Sequence, residues 1–257
     1  MAEPLVVVTR PSQQAGKLAR MVADIGRDCV VLPLLDIAPL ADQANLKSVL
    51  AGLPGYALVA FVSPNAIDAA FAHIGAWPAG VAAAVLGEGS RAALALHGVH
   101  EGNATIFTPR DKTRSDSENL LESLDLSLLR GKRVLIVRGE SGRELMADGM
   151  RAAGAEVTTV AAYRRSTPAL TEALAQQLSR LLESENDWII TSSEALRGLL
   201  ALVSQLDGAA AVAKMQQQRL FVPHARIAET ARGLGLTRLT LCGSGDARLL
   251  AALQSRA

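Results

Sequence analysis

The sequence predicts an α/β fold of two similar lobes, each a parallel sheet flanked by helices. Short, continuous apolar runs alternate with amphipathic stretches along the 257 residues. Runs of this kind are typical of strands buried on both faces, as in parallel sheets covered by helices. In addition, one strand–loop–helix–strand unit occurs twice, and a linker-like segment follows each copy. Alternation at this spacing favours βαβ units, and the repeat favours two lobes.

Each predicted element is placed by its apolar pattern. The predicted strands are 5–9, 29–32, 58–63, 83–86, 105–108, 133–137, 156–161, 188–191, 219–222 and 238–242. The predicted helices are 13–25, 65–72, 89–96, 117–124, 143–153, 171–182, 194–203 and 226–233, and the segment 242–254 carries a polar loop that enters a further helix. In the first helix Leu18, Met21, Val22 and Ile25 share one face, as expected of an amphipathic helix on a sheet.

The repeat relates residues 6–37 to residues 134–165 at an offset of 128. In this overlay Arg10 meets Arg138 and Gly26 meets Gly154. The similarity continues past the opening unit, so that each half carries five strand–helix units in the same order. A tandem duplication would divide the chain near residue 128, but no Pro/Gly/Ser-rich linker lies there.

Better linkers lie at 34–43 and 161–170, at equivalent places in the two copies. We therefore predict that the opening units are exchanged between lobes. Residues 1–36 pack with 168–257, residues 41–162 form the other lobe, and extended linkers lie near 37–40 and 163–167. A ligand cleft is expected between two such lobes.

Composition excludes several classes of function. A net charge of +1 and an aromatic content of 3% argue against a nucleic-acid binder. Cys29 and Cys242 lie in apolar surroundings without disulfide or metal spacing, and the histidines are scattered, so no metal site is predicted. Neither a signal peptide nor a membrane span of about 20 apolar residues is recognisable. We expect a cytoplasmic protein that contacts no membrane.

The predicted site lies on loops that follow the strands, because ligands of parallel α/β sheets bind at the carboxyl ends of strands. Each loop enters a helix whose free N–H groups attract anions. The candidate ligand-binding residues are Arg10, Ser63, Asn65, Ser90, Arg138, Ser141, Gly142, Thr191, Ser192, Ser193, His224 and Arg226. Helix capping is the alternative for Ser63, Asn65, Ser90 and Ser192, and solvation is the alternative for Arg10 and Arg138. Together they indicate a binder of a large polyanion.

Tyr163 is the most notable acid–base candidate. The chain has two tyrosines, and this one lies on a predicted linker beside Arg164 and Arg165. The alternative interpretation is an amphipathic aromatic side chain that rests on a domain edge.

Several segments, in this order, resemble the uroporphyrinogen-III synthase family over essentially the whole chain. They are VVVTRPSQQAGKLARMVADIGRDCVVLPLLDIAPL (6–40), FVSPNA (61–66), SDSENLLESL (115–124) and GKRVLIVRGESGRELMADGMRAAGAEVTTVAAYRR (131–165). The resemblance implies a two-lobed fold with exchanged units and no cofactor. A two-lobed enzyme that closes on its substrate can work as a monomer. The resemblance also suggests transient contact with hydroxymethylbilane synthase.

The reaction that the resemblance implies closes hydroxymethylbilane, a linear tetrapyrrole with eight carboxylates, to uroporphyrinogen III. Water is lost and the last pyrrole ring, ring D, is inverted. A tyrosine at the position of Tyr163 is the family's candidate general acid. The chain departs from the family pattern at Val62, Glu194 and Ile227. These departures motivate the alternative of an anion-binding or regulatory protein of the same fold without catalytic activity.

Overall fold

A computed structural model describes residues 3–112 and 114–255. Its strands are β1 (Val6–Val8), β2 (Cys29–Val31), β3 (Asp36–Pro39), β4 (Leu58–Phe61), β5 (Ala82–Val85), β6 (Ile106–Phe107), β7 (Arg133–Gly139), β8 (Glu156–Ser166), β9 (Asp187–Ile189), β10 (Arg219–Val222) and β11 (Leu239–Leu241). Its helices are α1 (Ser12–Asp24), α2 (Ala44–Ala51), α3 (Pro64–Phe71), α4 (Glu88–Leu96), α5 (Ser117–Ser123), α6 (Leu145–Ala152), α7 (Glu172–Leu181), α8 (Ser193–Gln216), α9 (Ala225–Gly233) and α10 (Asp246–Gln254). Two 3₁₀ turns lie at Leu53–Gly55 and Leu126–Leu129.

The chain forms two compact units. Unit 1 consists of the chain up to Asp36 together with the chain from Ser166 onward, and unit 2 is Ile37–Arg165. The chain therefore leaves unit 1 once, at the end of the first repeated strand–helix–strand, and returns to it once, at the end of the second.

Unit 1 contains a five-stranded parallel sheet in the order β11-β10-β9-β1-β2. On one face α7, α8 and α9 pack on Val7, Trp188 and Leu220. On the other face α1 and α10 pack on Val6 and Phe221. Alternate side chains of each strand are thus buried under opposite helix layers, which explains the continuous apolar runs in the sequence.

Unit 2 contains a six-stranded sheet in the order β3-β8-β7-β4-β5-β6. Helices α2, α3 and α4 cover one face, where Phe61 and Leu135 are buried. Helices α5 and α6 cover the other face over Ala60 and Ile136. The strands from β8 to β6 pair in parallel.

The two sheets have the same strand order when the repeat is taken into account. Strands β11-β10-β9-β1-β2 of unit 1 correspond, position by position, to β6-β5-β4-β7-β8 of unit 2. In unit 1, β1 pairs with β9, with Val7 opposite Trp188. In unit 2, β7 pairs with β4, with Ile136 opposite Ala60. Each opening unit therefore pairs with strands from the other half of the sequence, and the predicted exchange is confirmed.

The segments predicted as linkers differ from expectation, since both are largely β-strand. Strand β3 (Asp36–Pro39) lies at the edge of the second sheet, and its neighbour β8 continues to Ser166. The extended chain at both crossing points is therefore held by strand pairing. Pro39 is tolerated in β3 because an edge strand leaves one side of its backbone without a partner strand.

One helix lies outside the predicted elements, and another is longer than predicted. Helix α2 (Ala44–Ala51) was not predicted, and α8 continues to Gln216 rather than ending near residue 203. Within α8 the backbone leaves helical geometry at Asp207 and Gly208, where Gly208 has a φ of 47°. A glycine accommodates this conformation because it has no Cβ.

Helix α8 is long and apolar enough, by length and composition alone, to cross a membrane. The core helix of a soluble protein can have the same length and composition. In the structure Leu196, Leu199 and Val203 of α8 are fully buried in the core of unit 1. Its apolar residues are thus explained by packing against the sheet.

A buried ion pair joins the exchanged N-terminal segment to the rest of unit 1. Arg27 Nη2 lies 2.8 Å from Asp187 Oδ2, and the Asp187 side chain is fully buried. The same guanidinium bonds to the carbonyl of Pro4 at 2.6 Å and pairs with Glu3 through Nε at 2.7 Å. Asp187 begins β9, so this cluster lies at the amino-terminal edge of the sheet.

Candidate functional site

The carboxyl-terminal edge of each sheet has a switch point, where neighbouring strands lead into helices on opposite faces. In unit 2 the switch lies between β4 and β7, which precede α3 and α6. In unit 1 it lies between β1 and β9, which precede α1 and α8. Loops diverge at such points and leave a crevice in which ligands bind.

The predicted residues lie beyond or near the carboxyl ends of the strands in both units. Unit 2 carries Ser63, Asn65, Ser90, Arg138, Ser141, Gly142 and Tyr163. Unit 1 carries Arg10, Thr191, Ser192, Ser193, His224 and Arg226.

Tyr163 lies on β8 and is 3% exposed, packed within the core of unit 2. Its hydroxyl oxygen is 3.0 Å from Ser63 Oγ, at the end of β4. The residues are 100 positions apart in sequence. The fold therefore brings together a phenol and a hydroxyl that no local pattern links.

Ser63 has a second role, because it caps helix α3. Its Oγ accepts a hydrogen bond from the backbone N–H of Ala66 at 3.1 Å. A serine hydroxyl has one proton to donate and can accept two bonds. If Ser63 donates to the Tyr163 oxygen, the phenol proton of Tyr163 remains available for a ligand. The capping interpretation of Ser63 and a functional one are thus compatible.

Gly139 makes room for the Tyr163 ring. A Cβ at Gly139 would lie 3.1 Å from Tyr163 Cζ and 3.3 Å from its hydroxyl oxygen. The pairing of β7 with β8 is irregular between Arg138 and Gly139, and the Glu140 N–H donates to the Tyr163 carbonyl at 2.9 Å. The irregularity and the glycine together fix the position of the ring. The sequence analysis did not single out Gly139.

Arg138 projects from the end of β7 and forms an ion pair with Glu144. A Cβ at Gly142 would lie 2.9 Å from Arg138 Nη2, so this glycine leaves space for the guanidinium. Arg165 Nη2 donates to the Ser141 carbonyl at 3.0 Å. The loop between β7 and α6 is therefore held at Ser141, near its start, and at Glu144, at its end.

The other predicted residues of unit 2 differ in accessibility. Asn65 is half-buried in the first turn of α3. Ser90 is 5% exposed and lies near the start of α4. Gly87 precedes α4, and a Cβ there would lie 2.5 Å from Ser115 Oγ. The glycine at this position therefore leaves space for the Ser115 side chain.

In unit 1, Arg10 follows β1 and its Nη1 lies 2.7 Å from Asp246 Oδ1 at the start of α10. The preceding Thr9 donates from Oγ1 to the carbonyl of Ile189 at 2.7 Å and links the two strands of the switch point. The two arginines that align in the repeat are therefore each paired with a carboxylate of their own unit.

The loop between β9 and α8 and the first residue of α8 together hold three predicted hydroxyls. Ser192 caps α8 by accepting from the N–H of Ala195 at 3.3 Å, as Ser63 does for α3. Ser193 Oγ accepts from Thr230 Oγ1 of α9 at 3.1 Å. Thr191 is half-buried. Capping thus explains Ser192, and a contact between helices explains Ser193.

His224 and Arg226 lie at the start of α9. His224 Nδ1 is 3.4 Å from the hydroxyl of Ser244, which is 8% exposed, and Arg226 is exposed. Ser244 belongs to the loop 243–245 before α10, in which Gly243 and Gly245 have φ values of 82° and 97°. The sequence analysis recognised a polar loop here but named none of its residues. The Gly-Ser-Gly-Asp sequence directly before a helix was the available signal.

The described residues contain no group of three or more His, Cys, Asp or Glu side chains that could hold a metal ion. The polar groups of both edges are instead hydroxyls, guanidinium groups and helix N-termini. These groups bind carboxylates and other oxyanions.

Both cysteines have pKa values above that of an ordinary thiol. Burial and the nearby Asp28 carboxylate raise the pKa of Cys29. Burial raises the pKa of Cys242, which directly follows β11, to about 11. Because the thiolate is the reactive form, both thiols are expected to react slowly at neutral pH.

Alkylation by iodoacetamide tests this expectation in a Cys29→Ser variant, which isolates Cys242. The rate is expected to rise about tenfold per pH unit beyond pH 9, whereas the unfolded chain levels off above about pH 8.5. A rate in the native protein that also levels off near pH 8.5 would contradict the burial of this thiol.

Comparison with known protein families shows to which family the chain belongs. The family model described as uroporphyrinogen-III synthase HemD matches residues 16–242. The chain belongs to the uroporphyrinogen-III synthase family. Two curated members support the assignment, the uroporphyrinogen-III synthases of Escherichia coli and Salmonella typhimurium. Each is 32% identical and aligns with 97% of this chain and 99% of its own length.

Solved structures with the same fold also belong to this family. The uroporphyrinogen-III synthetase of Helicobacter pylori is 15% identical, with a TM-score of 0.63, and covers 99% of this chain and 100% of its own. A mutant uroporphyrinogen III synthase of Thermus thermophilus is 13% identical, with a TM-score of 0.61 and 98% coverage of both chains. At these identities the likeness concerns the fold alone.

The three departures from the family pattern, Val62, Glu194 and Ile227, each have a structural explanation. Ile227 is fully buried in the core of unit 1, where it packs against the sheet. Val62 packs against the core beneath α5 and α6. Glu194 lies in the first turn of α8, where a carboxylate is favourable near the helix N-terminus.

Proposed function

We propose that the chain is a uroporphyrinogen-III synthase that closes hydroxymethylbilane to uroporphyrinogen III, with loss of water and inversion of ring D. The observation that carries the proposal is the Ser63–Tyr163 pair, 3.0 Å apart, beside the anion-binding loops of a chain of this family. A phenol held by a hydroxyl is suited to give a proton to a departing hydroxyl group.

The substrate carboxylates are proposed to bind at the carboxyl-terminal edges of the sheets. In unit 2 the carboxylates bind to Arg138 and to the start of α3. In unit 1 they bind to Arg10, His224 and Arg226 and to the starts of α8, α9 and α10. A guanidinium can hold a carboxylate by two parallel hydrogen bonds, and helix N-termini add N–H donors. Charge-assisted bonds of this kind orient a substrate with eight carboxylates without requiring a metal.

The proposed chemical step breaks the C–O bond of the hydroxymethyl group. The pyrrole nitrogen supplies the electron pair, and Tyr163 gives its proton to the departing oxygen, which leaves as water. Ser63 positions the phenol by donating to its oxygen, so that the phenol proton faces the substrate. The resulting azafulvenium cation is attacked by the substituted carbon of ring D, and a spiro intermediate rearranges to the inverted ring. Closure at the free carbon of ring D releases a proton, which restores the Tyr163 phenol. Ring closure then depends mainly on how the chain is held.

The reaction class that follows is that of a hydro-lyase. We propose that the protein acts in the cytoplasm and that hydroxymethylbilane synthase, whose product is unstable, contacts it transiently.

Replacement of Tyr163 by phenylalanine tests the proposed acid. The ring and its packing are kept while the proton is lost, so kcat is expected to fall about ten- to a hundredfold with little change in KM. This loss lies at or below the usual lower limit of about a hundredfold for general acid catalysis, because an electron-rich pyrrole already assists departure of the hydroxyl group. Stopped assays of hydroxymethylbilane consumption measure both constants.

Two results of this assay would contradict the proposal at different levels. An unchanged kcat in Tyr163→Phe would remove Tyr163 from the chemistry but leave the function. A wild-type protein that does not accelerate hydroxymethylbilane consumption above its spontaneous rate would contradict the function itself. A Tyr56→Phe variant is the matched control, because Tyr56 is also buried in unit 2 but precedes β4 at the opposite edge.

A further inference from the structure

The two arginines of the repeat are already bound to carboxylates of the protein. Arg10 pairs with Asp246 at 2.7 Å, and Arg138 pairs with Glu144. Both guanidinium groups are sheltered, since the arginine side chains are 19% and 12% exposed. A ligand carboxylate that binds either arginine must therefore compete with a carboxylate that is already there.

The two protein carboxylates are not equivalent in the repeat. Glu144 follows its arginine within the loop between β7 and α6. Asp246 begins α10, on a different strand–helix unit from Arg10. The same pairing thus arises from different elements in the two units. In both units the arginine holds the same place in the repeat and is paired with a carboxylate.

We propose that Glu144 and Asp246 are exchangeable carboxylates that occupy Arg138 and Arg10 until a ligand carboxylate replaces them, and that they thereby select for polycarboxylates. The proposal rests on the proposed function, whose substrate carries eight carboxylates. A side chain on the same chain competes at a high effective concentration, so an anion with one carboxylate displaces it poorly. A ligand with many carboxylates is held by neighbouring loop groups while one of its carboxylates replaces the protein carboxylate at the arginine.

Both carboxylates lie where separation from their arginine costs little free energy. Glu144 is the residue directly before α6, and Asp246 lies in the first turn of α10. A carboxylate that leaves its arginine remains beside a helix N-terminus, where the helix dipole and free N–H groups favour negative charge. The Glu144 side chain is 53% exposed, so water can also solvate it.

The test uses Glu144→Gln and Asp246→Asn, which remove the charge and keep the size of the side chain. Their affinity for uroporphyrin III, a stable macrocycle with eight carboxylates, is measured by fluorescence titration. Each variant is expected to bind about two- to fivefold more tightly than wild type, the range for a partly exposed ion pair. KM for hydroxymethylbilane is expected to fall in parallel.

Two controls separate the exchange from a change in overall charge. Glu185→Gln removes one negative charge from the Arg238 pair of unit 1, at the amino-terminal edge, and is expected to bind as wild type. The double variant Arg138→Gln/Glu144→Gln is expected to bind as weakly as Arg138→Gln alone, because Glu144 acts only through this arginine.

Weaker binding in Glu144→Gln and Asp246→Asn would overturn the proposal, because the carboxylates would then hold the arginines in a binding position. Affinities equal to that of Glu185→Gln, or no binding of uroporphyrin III by any variant, would overturn it as well. Failure of the proposed function is distinguishable. A wild type that binds uroporphyrin III but does not convert hydroxymethylbilane lacks the activity, while the dissociation constants still decide the exchange.

Discussion

Replacing Asp187 with alanine is expected to lower the free energy of unfolding of unit 1 by about 3 kcal/mol. Removing one member of a buried ion pair typically costs about 3–5 kcal/mol, because the remaining charge is left without its partner in a low dielectric. Asp187 is fully buried against Arg27. The lower end applies here because Glu3 still pairs with the Arg27 guanidinium.

Urea unfolding followed by tryptophan fluorescence measures this effect. Trp188, next to Asp187 on β9, is fully buried, and a Trp77→Phe background removes the signal of the tryptophan in unit 2. The exposed pair Arg238–Glu185 offers a matched control, since Glu185→Ala is expected to cost less than about 1 kcal/mol. A similarly small change in Asp187→Ala would contradict the role of this pair in holding the exchanged segment.

The double variant Arg27→Met/Asp187→Leu separates burial from charge pairing. Apolar residues of similar volume often replace a buried ion pair at little cost, so the double variant is expected to be more stable than Asp187→Ala. A double variant as unstable as the single one would show that the pair is needed for more than mutual neutralisation.

Replacing Gly139 with alanine is expected to lower kcat on the order of ten- to a hundredfold, with a smaller change in the affinity for uroporphyrin III. The new Cβ would lie 3.1 Å from Tyr163 Cζ, closer than van der Waals contact. Tyr163 is buried and bonded to Ser63, so the ring can move only by breaking that bond. A displacement of a reacting group by about 1 Å can cost about a hundredfold in rate.

The non-additivity of two substitutions tests this argument. In a Tyr163→Leu background the ring is absent, so Gly139→Ala is expected to cause little further loss of kcat. Equal losses in both backgrounds would indicate that the alanine acts on the strand rather than on the tyrosine. Gly16→Ala, on an open face of α1, is the control for substitution of a glycine as such.

The sequence was informative about the exchange of the opening units, because equivalent linker-like segments follow both copies of the repeat. It did not reveal that these segments are strands. Asp36–Pro39 has only four residues, and the two at its ends are exposed, so no apolar pattern marks it. The pairing of β3 with β8 depends on tertiary structure rather than on local preference.

Residue types at the site were predictable, but their contacts were not. Strand ends and helix starts pointed to Arg10, Arg138 and Ser63. The approach of Ser63 to Tyr163 joins positions 100 residues apart, and the space at Gly139 depends on an irregular pairing of two strands. The carboxylates on the two arginines were also missed, since Asp246 comes from a different unit of the repeat from Arg10.

The composition of the product tests the central claim most directly. Purified protein is mixed with hydroxymethylbilane, the products are oxidised to uroporphyrins, and the type I and type III isomers are separated by chromatography. The type III isomer is expected to predominate, in a fraction that rises with protein concentration above the spontaneous background. Formation of the type I isomer alone, at the spontaneous rate and at every protein concentration, would contradict the account.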